Sequence, residues 1–317
     1  MNSRREFLIN TSIAAAGLGL ASLTRAQAAP GTTQPGQAAA AASSLLTRPI
    51  PRTGERIPAI GMGTSGSFEV GLTADELAPL REVLQRFLAS GATVIDTAPT
   101  YGPAEDVLGE LLAGMPSRPA LFLATKLSGV TGRDAGLAQF QSSLRRMRVD
   151  KVELLQVHNL RDTDTQLAVA RELQQQGKVR YVGLTHYLDS AQAELAQALR
   201  RLKPDFVQIN YSVTSRTAEQ AIFPVAQDLG IAVMINRAFD DGRLFARVQD
   251  KPLPAWAAEV GATSWAQLLL KFVLSHPAVT VVIPATSKPK NMTDNLLAGT
   301  GPLLDARQRA DLVVQLG

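Results

Sequence analysis

The chain has 317 residues, 45% of them apolar and 19% charged, with a formal net charge of +4. That is globular composition, at a length that buries a full core without disulfides or metals. The absence of cysteine excludes disulfides, thiol nucleophiles and thiolate metal sites, and the small charge with no Lys/Arg-rich run argues against a nucleic-acid partner.

The first residues read as an address. Arg4 and Arg5 precede Phe7-Leu8, a mildly apolar Ala/Gly-rich stretch runs to Leu23, and Ala26-Gln27-Ala28 offers a small-x-small cleavage site. Charged start, apolar middle and small-residue end define a secretory signal over residues 1–28. The paired arginines resemble the twin-arginine type, which implies that export machinery as a partner and a periplasmic destination. Removing residues 1–28 takes away Arg4, Arg5, Arg25 and Glu6, so the charge falls from +4 to +2. Residues 29–46 are Ala, Gly, Gln, Ser, Thr, Pro and Leu, and read as a low-complexity linker. Residues 47–317 carry the folded part, in which no apolar run reaches membrane-spanning length.

Ile50 to Ile57 reads as two short strands around Thr53-Gly54. Short apolar runs then centre on Ile60, Ile95, Leu123, Leu155, Val182, Gln208, Val233 and Val281, the first seven 25 to 35 residues apart. Helix-period segments lie between them. Leu77, Leu80, Leu84, Phe87 and Leu88 share one face, with Gly91 as a stop and Pro79 blurring the first turn. Ala191, Leu195, Ala198, Leu199 and Leu202 share another. Runs such as Ile231 to Ile235 do not alternate, as expected of parallel strands covered on both faces.

Eight such strands predict an α/β fold, a (β/α)8 TIM barrel with a short N-terminal β-hairpin. The rival is an open doubly wound sheet, and Gly61, Gly63 and Gly66 have its glycine spacing. No helical face starts at Gly66, however, and no acidic residue closes a second strand about 20 residues on. The glycines are read instead as a tight strand exit.

Barrel chemistry sits at the C-terminal ends of the strands. Those positions hold Asp96 with Tyr101 beyond it, Thr125-Lys126, His158-Asn159, Thr185-His186, Gln208, Asn210 and Asn236-Arg237. Singly, each has a bland role as cap, packing or solvated group. Together they place a lysine beside an aspartate, which keeps both charged only if they meet. A cation beside a phenol stabilises the phenolate and makes a tyrosine hydroxyl a usable proton donor.

Asp96-Thr-Ala-Pro-Thr-Tyr101-Gly102, Ala124-Thr125-Lys126 and Leu155-Gln-Val-His158 resemble the catalytic motifs of the aldo-keto reductases. Ser143 to Asp150 is similar to the stretch before the family histidine, and Gly177 to Leu184 to its fifth-strand signature. The resemblance runs from about Ile57 to about Leu297. It implies reduction of a small carbonyl substrate, an aldehyde or ketone, with a nicotinamide cofactor. Tyr101 would donate the proton, Lys126 would act on Tyr101, Asp96 would hold Lys126, and His158 would bond the substrate oxygen and help relay the proton.

The resemblance also implies cofactor residues. Gly63 and Thr64 fall at the first strand exit. Thr185 and His186 stand where the family usually has Ser-Asn, the pair that holds the carboxamide with the glutamine at Gln208. Arg237 falls near the aromatic that stacks on the nicotinamide, and is read as a stacking plane or a pyrophosphate partner. Thr286, Ser287, Lys288, Asp294 and Asn295 follow the last strand, where the adenosine phosphate binds. Ala285 and Asn291 replace two usual cations there, yet the remaining polar set still favours NADP(H) over NAD(H). Phe68, Asn159, Leu160 and Phe239 are expected as pocket walls, and the close of the chain at Gly317 suggests an open pocket. No metal site is expected. Two alternatives stand beside this reading: a metal-dependent barrel hydrolase using Asp96, His158 and His186, and a non-catalytic barrel that keeps the cofactor as a regulatory signal.

Overall fold

The structure is a computed structural model that describes residues 44–115 and 120–317. The expected signal, and the linker up to residue 43, lie outside the described residues. Leu46, at the end of the expected linker, already donates its N–H to the Gly299 carbonyl at 2.7 Å.

Strands β1 (Thr47–Pro49) and β2 (Arg56–Pro58) pair antiparallel with Arg48 opposite Ile57, a hairpin as expected but with its first strand ending before Ile50. Eight strands follow: β3 (Met62–Gly63), β4 (Val94–Asp96), β5 (Phe122–Leu127), β6 (Val152–His158), β7 (Val179–Thr185), β8 (Phe206–Asn210), β9 (Ala232–Asn236) and β10 (Val279–Val282). Each pairs in parallel with the next in chain order. Bridges from Ile60 to Val282 and from Gly63 to Ala285 join the first of them to the last. The result is a nearly closed (β/α)8 barrel.

The expected centre Ile60 sits two residues before β3, in the closing bridge rather than in the strand. Gly61 and Gly63 explain why the closure is tight. A Cβ on Gly61 would lie 2.8 Å from the Val94 carbonyl oxygen, and one on Gly63 would lie 2.9 Å from that of Ile283. These glycines serve close strand approach, not a dinucleotide turn.

Inward residues on alternate positions fill the barrel. Val94, Phe122, Leu154, Tyr181, Phe206, Met234 and Val281 form one buried cluster, joined by Ile50 and Ile57 from the hairpin end. The hairpin therefore stoppers the N-terminal end, and its Glu55 accepts from the Tyr181 hydroxyl at 2.5 Å. Above this apolar layer the inward positions turn polar.

Helices α1 (Ala74–Ala89), α2 (Ala104–Ala113), α3 (Arg133–Met147), α4 (Thr163–Gln175) and α5 (Gln192–Leu202) lie between successive strands. The short α6 (Ala218–Ala221), α7 (Phe223–Leu229) and α8 (Arg243–Val248) precede α9 (Trp265–Leu274), α10 (Pro289–Leu297) and α11 (Ala306–Leu316). The first turn that Pro79 left open in sequence is helical. Thr73 and Glu76 form a reciprocal capping box, and Leu77, Leu80, Val83, Leu84 and Phe87 are buried against the barrel. The cap and the buried face offset the hydrogen bond that Pro79 cannot donate.

Candidate active site

The polar layer is built on Asp96, the last residue of β4, which is 2% exposed. Its Oδ2 accepts from Lys126 Nζ at 2.6 Å, and its Oδ1 accepts from Gln208 Nε2 at 2.8 Å and Gln156 Nε2 at 3.0 Å. Lys126 also donates to the Thr97 carbonyl at 2.8 Å. A buried ion pair survives only when its remaining donors and acceptors are satisfied, and here they are. Burial alone would lower the Lys126 pKa, but the charge and hydrogen bond of Asp96 raise it above the ordinary lysine value. Lys126 is thus a permanent cation.

That cation lies 4.9 Å from the centroid of the Tyr101 ring. Tyr101 sits in the turn after β4, five residues beyond Asp96, so one loop delivers the phenol and its strand delivers the carboxylate. His158, at the end of β6, stands edge-on to Tyr101 with ring centroids 6.1 Å apart. Its Nδ1 is 2.6 Å from the Ser128 hydroxyl. Burial, then the Lys126 charge, then His186 push the His158 pKa down to about 3, so the imidazole is neutral at physiological pH.

These groups open on a cleft of about 460 Å³ at the C-terminal ends of the strands. Gly63, Thr64, Asp96, Tyr101, His158, Thr185, Gln208 and Arg237 all border it. Of the expected walls, Asn159 and Phe239 line it, whereas Phe68 is wholly buried in the core behind. Leu160 packs against that core. Asn159, Leu160, Arg237, Asp240 and Asp241 all adopt positive φ without being glycine, so strained backbone gathers in the loops after β6 and β9.

Hydrogen-bond polarity runs outward from Asp96. Its carboxylate can only accept, so Gln208 must turn its NH₂ inward. Gln208 Oε1 then accepts from Thr185 Oγ1 at 3.2 Å and Asn236 Nδ2 at 3.3 Å. This leaves Asn236 Oδ1, beside the cleft, as a buried acceptor with no partner among the described residues.

Other expected cofactor residues are placed differently. His186 Nδ1 accepts the backbone N–H of Tyr187 at 2.9 Å and of Leu188 at 3.2 Å, and its ring stacks on Tyr187, so it is folded onto its own loop. Arg237 lies over the Tyr187 ring at 4.3 Å and pairs with Asp241 at 3.2 Å. Thr64 uses its hydroxyl on the Thr97 hydroxyl at 2.9 Å. Ser287 and Lys288 are exposed just before α10, and Thr286 Oγ1 accepts the Lys288 N–H at 3.1 Å. Asp294 is committed elsewhere. Its carboxylate accepts from Gln267 Nε2 at 2.6 Å and from Ser264, the N-cap of α9, at 2.7 Å. Asn295 is buried beside it.

Sequence reasoning passed over Gln156, Ser128 and Tyr187. The first two have a signal in hindsight: they lie two residues from His158 and Lys126, so they continue the same inward line of a strand. Asp96, His158 and His186, the ligands of the metal alternative, do not converge, and no group of three ligating side chains occurs among the described residues.

Residues 59–312 match the profile of the Aldo/keto reductase family. The chain belongs to that family. An aldo/keto reductase from Klebsiella pneumoniae, solved with NADP and acetate, is 28% identical over 83% of this chain and 93% of its own, with a TM-score of 0.68. Aldo-keto reductase YhdN of Bacillus subtilis is 27% identical over 221 residues, 64% of this chain and 64% of that protein, so the match spans under two thirds of that relative. The holo form of an aldo-keto reductase from Bacillus halodurans has a TM-score of 0.70 at 21% identity over 86% of this chain and 97% of its own, a likeness of fold.

Proposed function

We propose that this aldo/keto reductase converts an aldehyde or ketone to an alcohol with a nicotinamide cofactor, and that Tyr101 is the proton donor. One observation carries the reading: the Tyr101 ring rests against a sealed Lys126–Asp96 pair while His158 meets it edge-on at the same cleft. When bound, the reduced cofactor supplies hydride to the carbonyl carbon.

The protein supplies the rest. Tyr101 gives its proton to the carbonyl oxygen, and the Lys126 charge stabilises the phenolate left behind. Asp96, held by three donors, keeps Lys126 from moving to the phenolate and abandoning its place. His158 is neutral, so it holds the oxygen by a hydrogen bond instead of acting as a reservoir of acid. Both donors stand in place before reaction, which is the preorganisation that lowers the barrier.

The residues present fit a nicotinamide carboxamide. The orphaned Asn236 Oδ1 is an acceptor for its N–H, and Thr185 lies on the same hydrogen-bonded chain. Arg237 and the Tyr187 ring offer a cation and a stacking plane on one wall. Lys288 and the uncapped start of α10 support a 2′-phosphate, hence NADP(H) over NAD(H). Asp294 would have to leave Ser264 and Gln267 to reach an adenine.

Tyr101→Phe removes the phenolic proton and little else. Turnover of a reactive aldehyde should fall by at least ~10²-fold while binding of the reduced cofactor persists. Undiminished turnover would refute Tyr101 as the donor.

A further inference from the structure

Strand β5 ends at Leu127, and Ser128 continues its inward line two positions beyond Lys126. One stretch of chain therefore aims a cation at Tyr101 and a hydroxyl at His158. Ser128 is 3% exposed, and its Oγ lies 2.6 Å from His158 Nδ1. Its peptide is clamped from both sides by Gln139 of α3. Gln139 Oε1 accepts the Ser128 N–H at 2.7 Å, and Gln139 Nε2 donates to the Ser128 carbonyl at 2.9 Å. The hydroxyl is a fixed point, not a rotor on a loose loop.

The direction of the bond follows from what else is within reach. His158 Nδ1 is the one hydrogen-bond partner of Ser128 Oγ among the described residues. If Nδ1 carried the ring proton, the serine hydrogen would be buried with nothing to donate to, an arrangement folded proteins avoid. With the serine donating, both groups are satisfied. A neutral imidazole has one proton, so it must then sit on Nε2, the nitrogen that Ser128 does not hold.

We propose that Ser128 is a positioning residue of this enzyme: its hydroxyl locks His158 in the Nε2–H form, so that the ring presents a donor, never an acceptor, to the carbonyl oxygen. The inference rests on the reductase reading for the identity of that oxygen, but the lock itself does not. The Gln139 clamp fixes the serine, the serine fixes the tautomer, and the tautomer makes His158 a second donor beside Tyr101. A ring in the other tautomer would offer its lone pair to an oxygen that is gaining charge, which is repulsive.

The test reads the ring directly. The full chain has three histidines, so ¹⁵N-histidine labelling gives a spectrum that can be assigned. At pH 7 the wild type should show His158 protonated on Nε2, with Nδ1 bare and shifted by the hydrogen bond it accepts. In Ser128→Ala the Nδ1 signal should move to that of a free ring nitrogen, while His276, far from the cleft, stays unchanged and reports an intact fold. Turnover should fall about five- to tenfold, the worth of one neutral hydrogen bond, with cofactor affinity unaltered. A wild-type proton on Nδ1, or an unmoved Nδ1 signal in Ser128→Ala, overturns the inference. Failure of the wild type to reduce any carbonyl would instead strike the reductase reading, which the spectrum does not depend on.

Discussion

Gln156 donates to Asp96 Oδ1 at 3.0 Å from a position two residues before His158 on β6. The same strand therefore supports the buried ion pair and presents the imidazole. Gln156 is fully buried and shares Asp96 with Gln208, so the carboxylate is oriented by two neutral amides as well as by Lys126. Gln156→Leu should destabilise the fold by about 1.5–3 kcal/mol, the range for a hydrogen bond to a charged group. Urea unfolding checks it. A wild-type midpoint and slope would show that Gln208 and Lys126 suffice to hold Asp96.

His158 makes stability depend on acid. Its pKa is about 3 in the fold, and the unfolded chain binds the same proton near the ordinary 6.5. Below about pH 6.5 the unfolded state holds more protons, so the His158 contribution is complete above that value and is lost as pH falls towards 3. The full difference corresponds to about 3–5 kcal/mol, allowing for partial solvent screening. Carboxylates and the other histidines add to the acid slope. The comparison is therefore wild type against His158→Gln: the wild-type unfolding free energy should fall relative to that of the variant between pH 6.5 and pH 4. Parallel curves would mean that His158 is not held neutral.

Which parts of this were legible in sequence follows from the range of the interactions. Strand centres such as Leu155 and Val233 announced themselves because a barrel strand is apolar on both faces over a local run. Asp96, Lys126 and His158 stood out because they lie at the ends of such runs, and Tyr101 because it follows Asp96 in a motif that resembles the family's. Gln156 and Ser128 were not, since a polar residue inside or just after a strand has no local mark that tells which long-range partner it meets. His186 and Asp294 show the opposite limit. The family resemblance implied cofactor contacts, whereas in the structure His186 accepts two backbone N–H groups of its own loop, and Asp294 docks α10 on the capped start of α9. His186 satisfies itself within its own loop and Asp294 on another helix, and sequence spacing reveals neither.

Export is a separate proposal, resting on residues outside those described. Arg4 and Arg5 resemble the signal of the route that moves folded proteins, so a barrel could leave the cytoplasm with cofactor already inside. The lack of cysteine is compatible with life in either redox compartment. Arg4→Lys/Arg5→Lys should retain the protein in the cytoplasmic fraction. Export of the double variant at the wild-type level would remove the twin-arginine assignment, and periplasmic protein isolated without bound nucleotide would remove preloading.

We propose that cofactor choice turns on the start of α10. The helix has Pro289 in its first turn and no side-chain cap, with Lys288 as the N-cap residue. Its first N–H groups therefore remain available, and the helix dipole favours an anion there. Ala285 and Asn291 supply no charge, and Lys288 is exposed, with no ion-pair partner among the described residues. A 2′-phosphate at this end would meet the lysine by a charge-assisted contact, which contributes roughly 1.5–3 kcal/mol. The unphosphorylated cofactor has nothing for Lys288 to hold. Lys288→Ala should therefore weaken NADPH by about ten- to a hundredfold more than NADH, read as separate dissociation constants by fluorescence titration. High salt should shrink the wild-type preference in the same direction, because an exposed contact is screened. Equal losses for the two cofactors would place the 2′-phosphate elsewhere and leave the α10 N-terminus without a role in discrimination.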